Sequence, residues 1–237
     1  MIAQRRRHFF APVLLGSILI GCAPLSTEHV VKVREIDWTT YGGSMERSNN
    51  SKAIITPPLK LVWEYNAGAG FGSGSPVVAD SLVFIGTLQG ELHGIHIKNG
   101  ERVGYKSFES AIVGAPTIDG NTIIVTSALD KPTLFVYNVR LGNVVWSRDV
   151  GPIETSPLLV GNRLIVAILA GSVICLDKST GEELWRFKSD KQLHSSPASN
   201  GTVVAFGSDD GTVFALDIDN GSVLWKLRTG GSVFAPA

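Results

Sequence analysis

ALDIDNGSVLW occupies residues 215–225, and forty residues earlier, at 175–185, the chain reads CLDKSTGEELW. The two stretches hold Asp217, Gly221 and Trp225 in the same phase as Asp177, Gly181 and Trp185. Near-identical spelling at a fixed distance marks a repeat, and a period of roughly 20–50 residues belongs to solenoids, propellers or arrays. The period runs through the chain. Pro76, Pro116, Pro157, Pro197 and Pro236 are 40, 41, 40 and 39 apart, each after Ser or Ala. Gly100, Gly142, Gly181 and Gly221 are 42, 39 and 40 apart, with Tyr105, Trp146, Trp185 and Trp225 just beyond them. Trp63 is an earlier aromatic in that phase.

Each period has one local grammar. A short turn follows the proline, then an apolar run such as SLVFI (81–85), TIIV (122–125), RLIVAI (163–168) or TVVAF (202–206). Short runs rich in Val and Ile read as buried strands. Gly90, Gly171 and Gly211 sit where a tight hairpin needs positive φ. A third strand leads to the Asn-Gly or Thr-Gly turn, and a fourth carries the aromatic. Four strands per period of about 40 residues is the blade of an all-β propeller.

The motif Ala215-x-Asp217-x-x-Asn220-Gly221-x-x-x-Trp225 resembles the tryptophan-docking motif of pyrroloquinoline-quinone (PQQ) repeat propellers. Residues 175–185 match it with Cys175 in the Ala slot. The period ending at Trp146 has Val136 and Asn138 where Ala and Asp are expected, and the one ending at Tyr105 replaces the Trp. The resemblance covers about residues 60–237, and DWTTYGGSMERSNNS (37–51) resembles the lead-in before a first blade. It implies that Trp63, Tyr105, Trp146, Trp185 and Trp225 wedge between neighbouring blades, a task suited to a large flat ring. Seven or eight blades are the family expectation. Only four full periods follow Trp63, so the sequence reads as a truncated ring, with Leu61–Tyr65 a last strand lacking its blade.

The start of the chain is of another kind. Arg5, Arg6 and Arg7 precede an apolar run from Phe9 to Ile20. That run is shorter than the roughly 20 residues a spanning helix needs, and it describes a secretory signal peptide over 1–21. Leu19-Ile20-Gly21-Cys22 resembles the bacterial lipobox, which implies lipidation at Cys22; the alternative is a plain signal peptide that happens to end in Cys. Residues 22–59 then read as a lipidated tether, to about 36, followed by the lead-in. The whole chain has 21 basic and 21 acidic residues. Residues 1–21 hold three Arg and no acid, so the rest carries −3 (18 − 21). No basic stripe remains for a nucleic-acid backbone.

No catalytic, cofactor-binding or metal-binding residues are assigned. His93 and His96 lie three apart on one strand and face opposite ways, so they share no metal. Asp209-Asp210-Gly211 reads as a hairpin turn. AGAGFGSGS (67–75) departs from G-x-G-x-x-G at Ser73 and precedes a strand, so it reads as a flexible inter-blade loop, not a phosphate cradle. Cys175 reads as a buried small thiol. Substitutions at His93, Asp209 and Asp210 are expected to cost less than loss of Trp185 or Trp225. The quinoprotein dehydrogenases of the resembled family add a calcium site and often a Cys-Cys pair, and this chain has no such pair. A lipid-anchored propeller of this repeat resembles the lipoprotein scaffolds of outer-membrane β-barrel assembly. That implies a non-enzymatic role at the outer membrane, facing the periplasm, with assembly subunits or nascent outer-membrane proteins as partners. The alternatives are a PQQ-dependent periplasmic dehydrogenase-like protein and a ligand-sensing propeller.

Overall fold

The structure, a computed structural model, describes residues 24–235. The leader expected at 1–21, the lipidation site expected at Cys22 and the fifth repeat proline, Pro236, lie outside the described residues. The repeats fold as four separate four-stranded antiparallel sheets. Blade 1 comprises β1 (Val77–Ala79), β2 (Leu82–Gly86), β3 (Glu91–His96) and β4 (Arg102–Ser107). Blade 2 comprises β5 (Thr117–Asp119), β6 (Thr122–Thr126), β7 (Leu134–Asn138) and β8 (Asn143–Arg148). Blade 3 comprises β9 (Leu158–Val160), β10 (Arg163–Ile168), β11 (Ser172–Asp177) and β12 (Glu183–Lys188). Blade 4 comprises β13 (Ala198–Ser199), β14 (Val203–Gly207), β15 (Thr212–Asp217) and β16 (Val223–Arg228). In every sheet the strands lie in sequence order. No helix among the described residues is long and apolar enough to cross a membrane.

Pro76, Pro116, Pro157 and Pro197 each stand immediately before an innermost strand, where the missing N–H removes nothing from the ladder. The glycines of the turns between third and fourth strands (Gly100, Gly142, Gly181, Gly221) all take φ of +69° to +74°, the left-handed conformation glycine adopts without a Cβ penalty. Beyond each of these turns the pairing of the third and fourth strands slips by one residue, at Gly94/Ile95, Val136/Tyr137, Cys175/Leu176 and Ala215/Leu216. The bulge recurs because the motif recurs.

The core lies in the seams between blades. Phe84, Leu92, Ile123, Phe135 and Tyr137 fill the seam of blades 1 and 2. Ile124, Val136, Leu164, Val166 and Ile174 fill that of blades 2 and 3. Leu158, Ile165, Cys175, Trp185, Phe206 and Leu216 fill that of blades 3 and 4.

Two expectations change. Leu61–Tyr65 forms no strand and pairs with none among the described residues. It lies against blade 1 through side chains: Trp63 Nε1 donates to Ile97 O at 2.8 Å, and the Tyr65 hydroxyl meets His93 Nδ1 at 2.7 Å. Nor is 67–75 a loose loop. Gly74 N donates to Val113 O at 2.8 Å, and a Cβ at Gly72 or Gly74 would strike the backbone of Val113 or of Gly114 and Ala115. Gly72 and Gly74 serve close backbone approach.

Candidate functional site

Three of the five aromatics expected to dock between blades show one geometry. The Trp146 ring lies over Gly181 and donates Nε1–H to Lys178 O at 2.8 Å. The Trp185 ring lies over Gly221 and donates to Ile218 O at 2.9 Å. Trp63 does the same over Gly100 with Ile97 O. In each case the acceptor carbonyl belongs to the residue just past the third strand of the blade that is met. Trp225 is half exposed, and no blade among the described residues covers it.

Tyr105 departs from this pattern. The atoms next to Gly142, its expected target, come from Leu25, Ser26 and Tyr137. Tyr105 instead stacks on His93, its cross-strand partner, with the Arg102 guanidinium over its ring. The seam is closed by the N-terminal segment. Leu25 is fully buried over Gly94 and Phe84, and its N–H donates to Tyr105 O at 3.1 Å. The Tyr137 hydroxyl donates to Leu25 O. Thr27 N–H donates to Val139 O at 2.9 Å. Val139 is the counterpart of Ile97, Lys178 and Ile218, so a backbone amide meets the carbonyl that an indole meets at the other seams. Val31 is buried, with its N–H on Asn121 Oδ1 at 2.8 Å. Residues 25–31 are therefore a strap along the seam, where a tether was expected. Leu25→Ala should cost about 2–3 kcal/mol, a moderate value for a large-to-small core change, measured by denaturant unfolding. An unchanged midpoint would mean the strap adds nothing to the seam.

The lead-in then crosses the inner ends of the blades. Val78 N–H of β1 donates to Trp38 O, Ile118 N–H of β5 to Thr39 O and Ser199 N–H of β13 to Met45 O. These are edge donors that the sheets leave unpaired. Arg47 is buried at the centre of this crossing. Its guanidinium donates to Thr40 Oγ1 (2.9 Å), Tyr41 O (2.7 Å), Ser156 O (3.2 Å), Pro157 O (3.1 Å) and Pro197 O (3.1 Å). Burial lowers its pKa to about 10, which still leaves it charged at neutral pH. It joins the lead-in to blades 3 and 4 without a carboxylate partner in any of these bonds. Sequence reading assigned Arg47 no role; its signal was that it is the lone basic residue of 37–51.

The small residues before the repeat prolines form a second belt. Ala115 N–H donates to Ser156 Oγ at 2.8 Å, Ser156 N–H to Ser196 Oγ at 3.0 Å, and Ser195 Oγ–H to Ala235 O at 2.7 Å.

The titratable candidates give structure more than chemistry. His93 is buried and His96 exposed, on opposite faces of β3. Burial lowers the His93 pKa against the raising effect of its bond to Glu91 Oε2 (2.9 Å). His93 also holds Tyr65 and Tyr105, so its side chain ties the 61–65 segment to blade 1. Asp210 is held down to about 2, first by the Ser208 hydroxyl and then by Thr212. It organises the β14–β15 turn, with Ser208 Oγ at 2.7 Å and Thr212 N at 3.0 Å. Cys175 is fully buried in the seam of blades 3 and 4, and burial pushes its thiol up to about 12. It should resist thiol reagents in the native protein and react on unfolding; rapid native modification would show that this seam opens. One open cleft of about 530 Å³ is lined by Lys188, Lys191, Asp210, Lys226 and Arg228. Among the described residues, no group of three His, Cys, Asp or Glu is placed to hold a metal ion.

Four-stranded blades wedged by an aromatic on the next blade's turn glycine define a propeller of PQQ-like repeats. The family model described as "Outer membrane protein assembly factor BamB" matches residues 59–160 and 136–235, and the chain belongs to that family. It is 38% identical over 132 residues to the outer membrane protein assembly factor BamB of Burkholderia pseudomallei, covering 55% of this chain and 34% of that protein. The crystal structure of BamB from Moraxella catarrhalis superposes with a TM-score of 0.65 at 21% identity, over 73% of this chain and 56% of that one. Quinohemoprotein alcohol dehydrogenase from Comamonas testosteroni superposes at 0.70 with 16% identity, over 83% of this chain and 41% of that one, which shows the shared fold alone. The chain spans 30% to 40% of the length of the curated relatives it matches.

Proposed function

We propose that the chain is a non-enzymatic scaffold for outer-membrane β-barrel protein assembly, anchored by lipid at Cys22 and facing the periplasm. The observation that carries this reading is the family match across residues 59–235. The seams agree with it. Trp146, Trp185 and the strap fix each blade to the next, so the inter-strand turns form a broad, preorganised face. Such a face favours protein recognition by limiting the ordering cost of binding. Its partners are assembly subunits or nascent outer-membrane proteins.

Deleting the gene in its host should lower the outer-membrane level of β-barrel proteins, and the wild-type gene should restore it. Cys22→Ala should lose palmitate labelling and outer-membrane fractionation while keeping the fold. Undiminished β-barrel levels in the deletion would overturn the assembly role. PQQ- and calcium-dependent alcohol oxidation by the purified protein would favour the dehydrogenase reading.

A further inference from the structure

We propose that the outer rim of blades 1 and 2 rests on a lipid surface, so that the propeller stands edge-on to the membrane. This rests on the reading that Cys22 is acylated and adds an orientation to it.

The chain is pinned almost as soon as it leaves Cys22. Leu25 is buried in the seam, and Pro24 already bridges Tyr105 of the outermost strand β4. Only Ala23 and Pro24 separate Cys22 from Leu25. Three Cα steps of about 3.8 Å place the Cys22 Cα within roughly 11 Å of the Leu25 Cα. A free tether through residue 36 would instead let the body wander by roughly 20 Å. Acyl chains leaving so near β4 bring that rim to the headgroups. The rim's side chains suit the contact. Arg102 and Lys106 flank Tyr105 on β4, and Arg140 and the exposed Leu141 stand in the turn beside Ser26. Glu28, Glu101 and Glu109 are acids of the same stretch. Basic heads together with an exposed apolar side chain match lipid phosphates and the acyl boundary.

The test uses the acylated protein in vesicles of phosphatidylethanolamine with a minor fraction of phosphatidylglycerol and a headgroup-quencher lipid. A fluorophore is placed at Leu141→Cys, or at Leu184→Cys on the outer strand of blade 3, with the native Cys175 buried. The Leu141 label should be quenched severalfold more than the Leu184 label. A long Gly-Ser insertion between Pro24 and Leu25 should erase that difference without loss of acylation. Equal quenching at the two sites, or a contrast that survives the insertion, would overturn the orientation. Mass analysis of the N-terminal peptide reads acylation separately: an unmodified Cys22 removes the anchor itself, whereas a modified Cys22 with equal quenching removes only the orientation.

Discussion

Arg47→Met is expected to destabilise the protein by about 3–5 kcal/mol, because several buried carbonyls lose their donor at once. Methionine fills a similar volume and donates nothing. Tyr41 O, Ser156 O and Pro197 O then lose the guanidinium in a site closed to water. Each buried acceptor left without a partner costs about 1–3 kcal/mol. Pro157 O keeps a donor in the Thr117 hydroxyl at 2.8 Å, which limits the damage. Part of the loss is offset because the cation no longer has to be desolvated. Arg47→Lys should recover little, since one ammonium does not span five acceptors set around a planar fork. Denaturant midpoints of the three proteins decide the point. A loss below about 1 kcal/mol for Arg47→Met would mean that the lead-in does not tie the blades together.

Trp185→Ala should cost a similar amount, about 3–5 kcal/mol, and Trp225→Ala about 1–2 kcal/mol, in proportion to the apolar surface buried. The two residues hold the same place in the motif and differ in cover. Trp185 is 8% exposed, sits over Gly221 and bonds Ile218 O, whereas Trp225 is 50% exposed. Removing the Trp185 ring opens a cavity beside Cys175 and frees a buried carbonyl. The same seam can be attacked from its other side. A Cβ at Gly221 would lie 2.6 Å from the Trp185 ring, at a φ of +72° that only glycine adopts freely. Equal losses at Trp185 and Trp225 would show that the indole stabilises its own blade and not the seam.

The blades were legible in the sequence because every blade solves the same packing problem with the same residues. Prolines before the inner strands, left-handed glycines at the turns and aromatics beyond them are forced by local geometry, so they recur at one spacing. The strap and the lead-in solve problems that arise once. Leu25 and Thr27 act through single backbone carbonyls far away in sequence and Arg47 through several acceptors at once, and no period points to them. One trace was visible. Tyr105 breaks the tryptophan pattern at the seam where Leu25 and Thr27 take over the wedge and its hydrogen bond. The Gly-rich stretch 67–75 misled for a related reason: composition alone does not tell a glycine that loosens the chain from one that lets two backbones touch.

Hydrogen exchange at the Leu25 and Thr27 amides of the native protein tests the substitution of strap for tryptophan most directly. Both N–H groups are committed to carbonyls of the blades, Tyr105 O and Val139 O. They should exchange as slowly as the amides of β4, and Leu25→Ala should speed exchange at Thr27 while leaving β10 and β11 protected. Exchange at both amides at the rate of an unstructured peptide would contradict the strap and return residues 24–36 to a free tether.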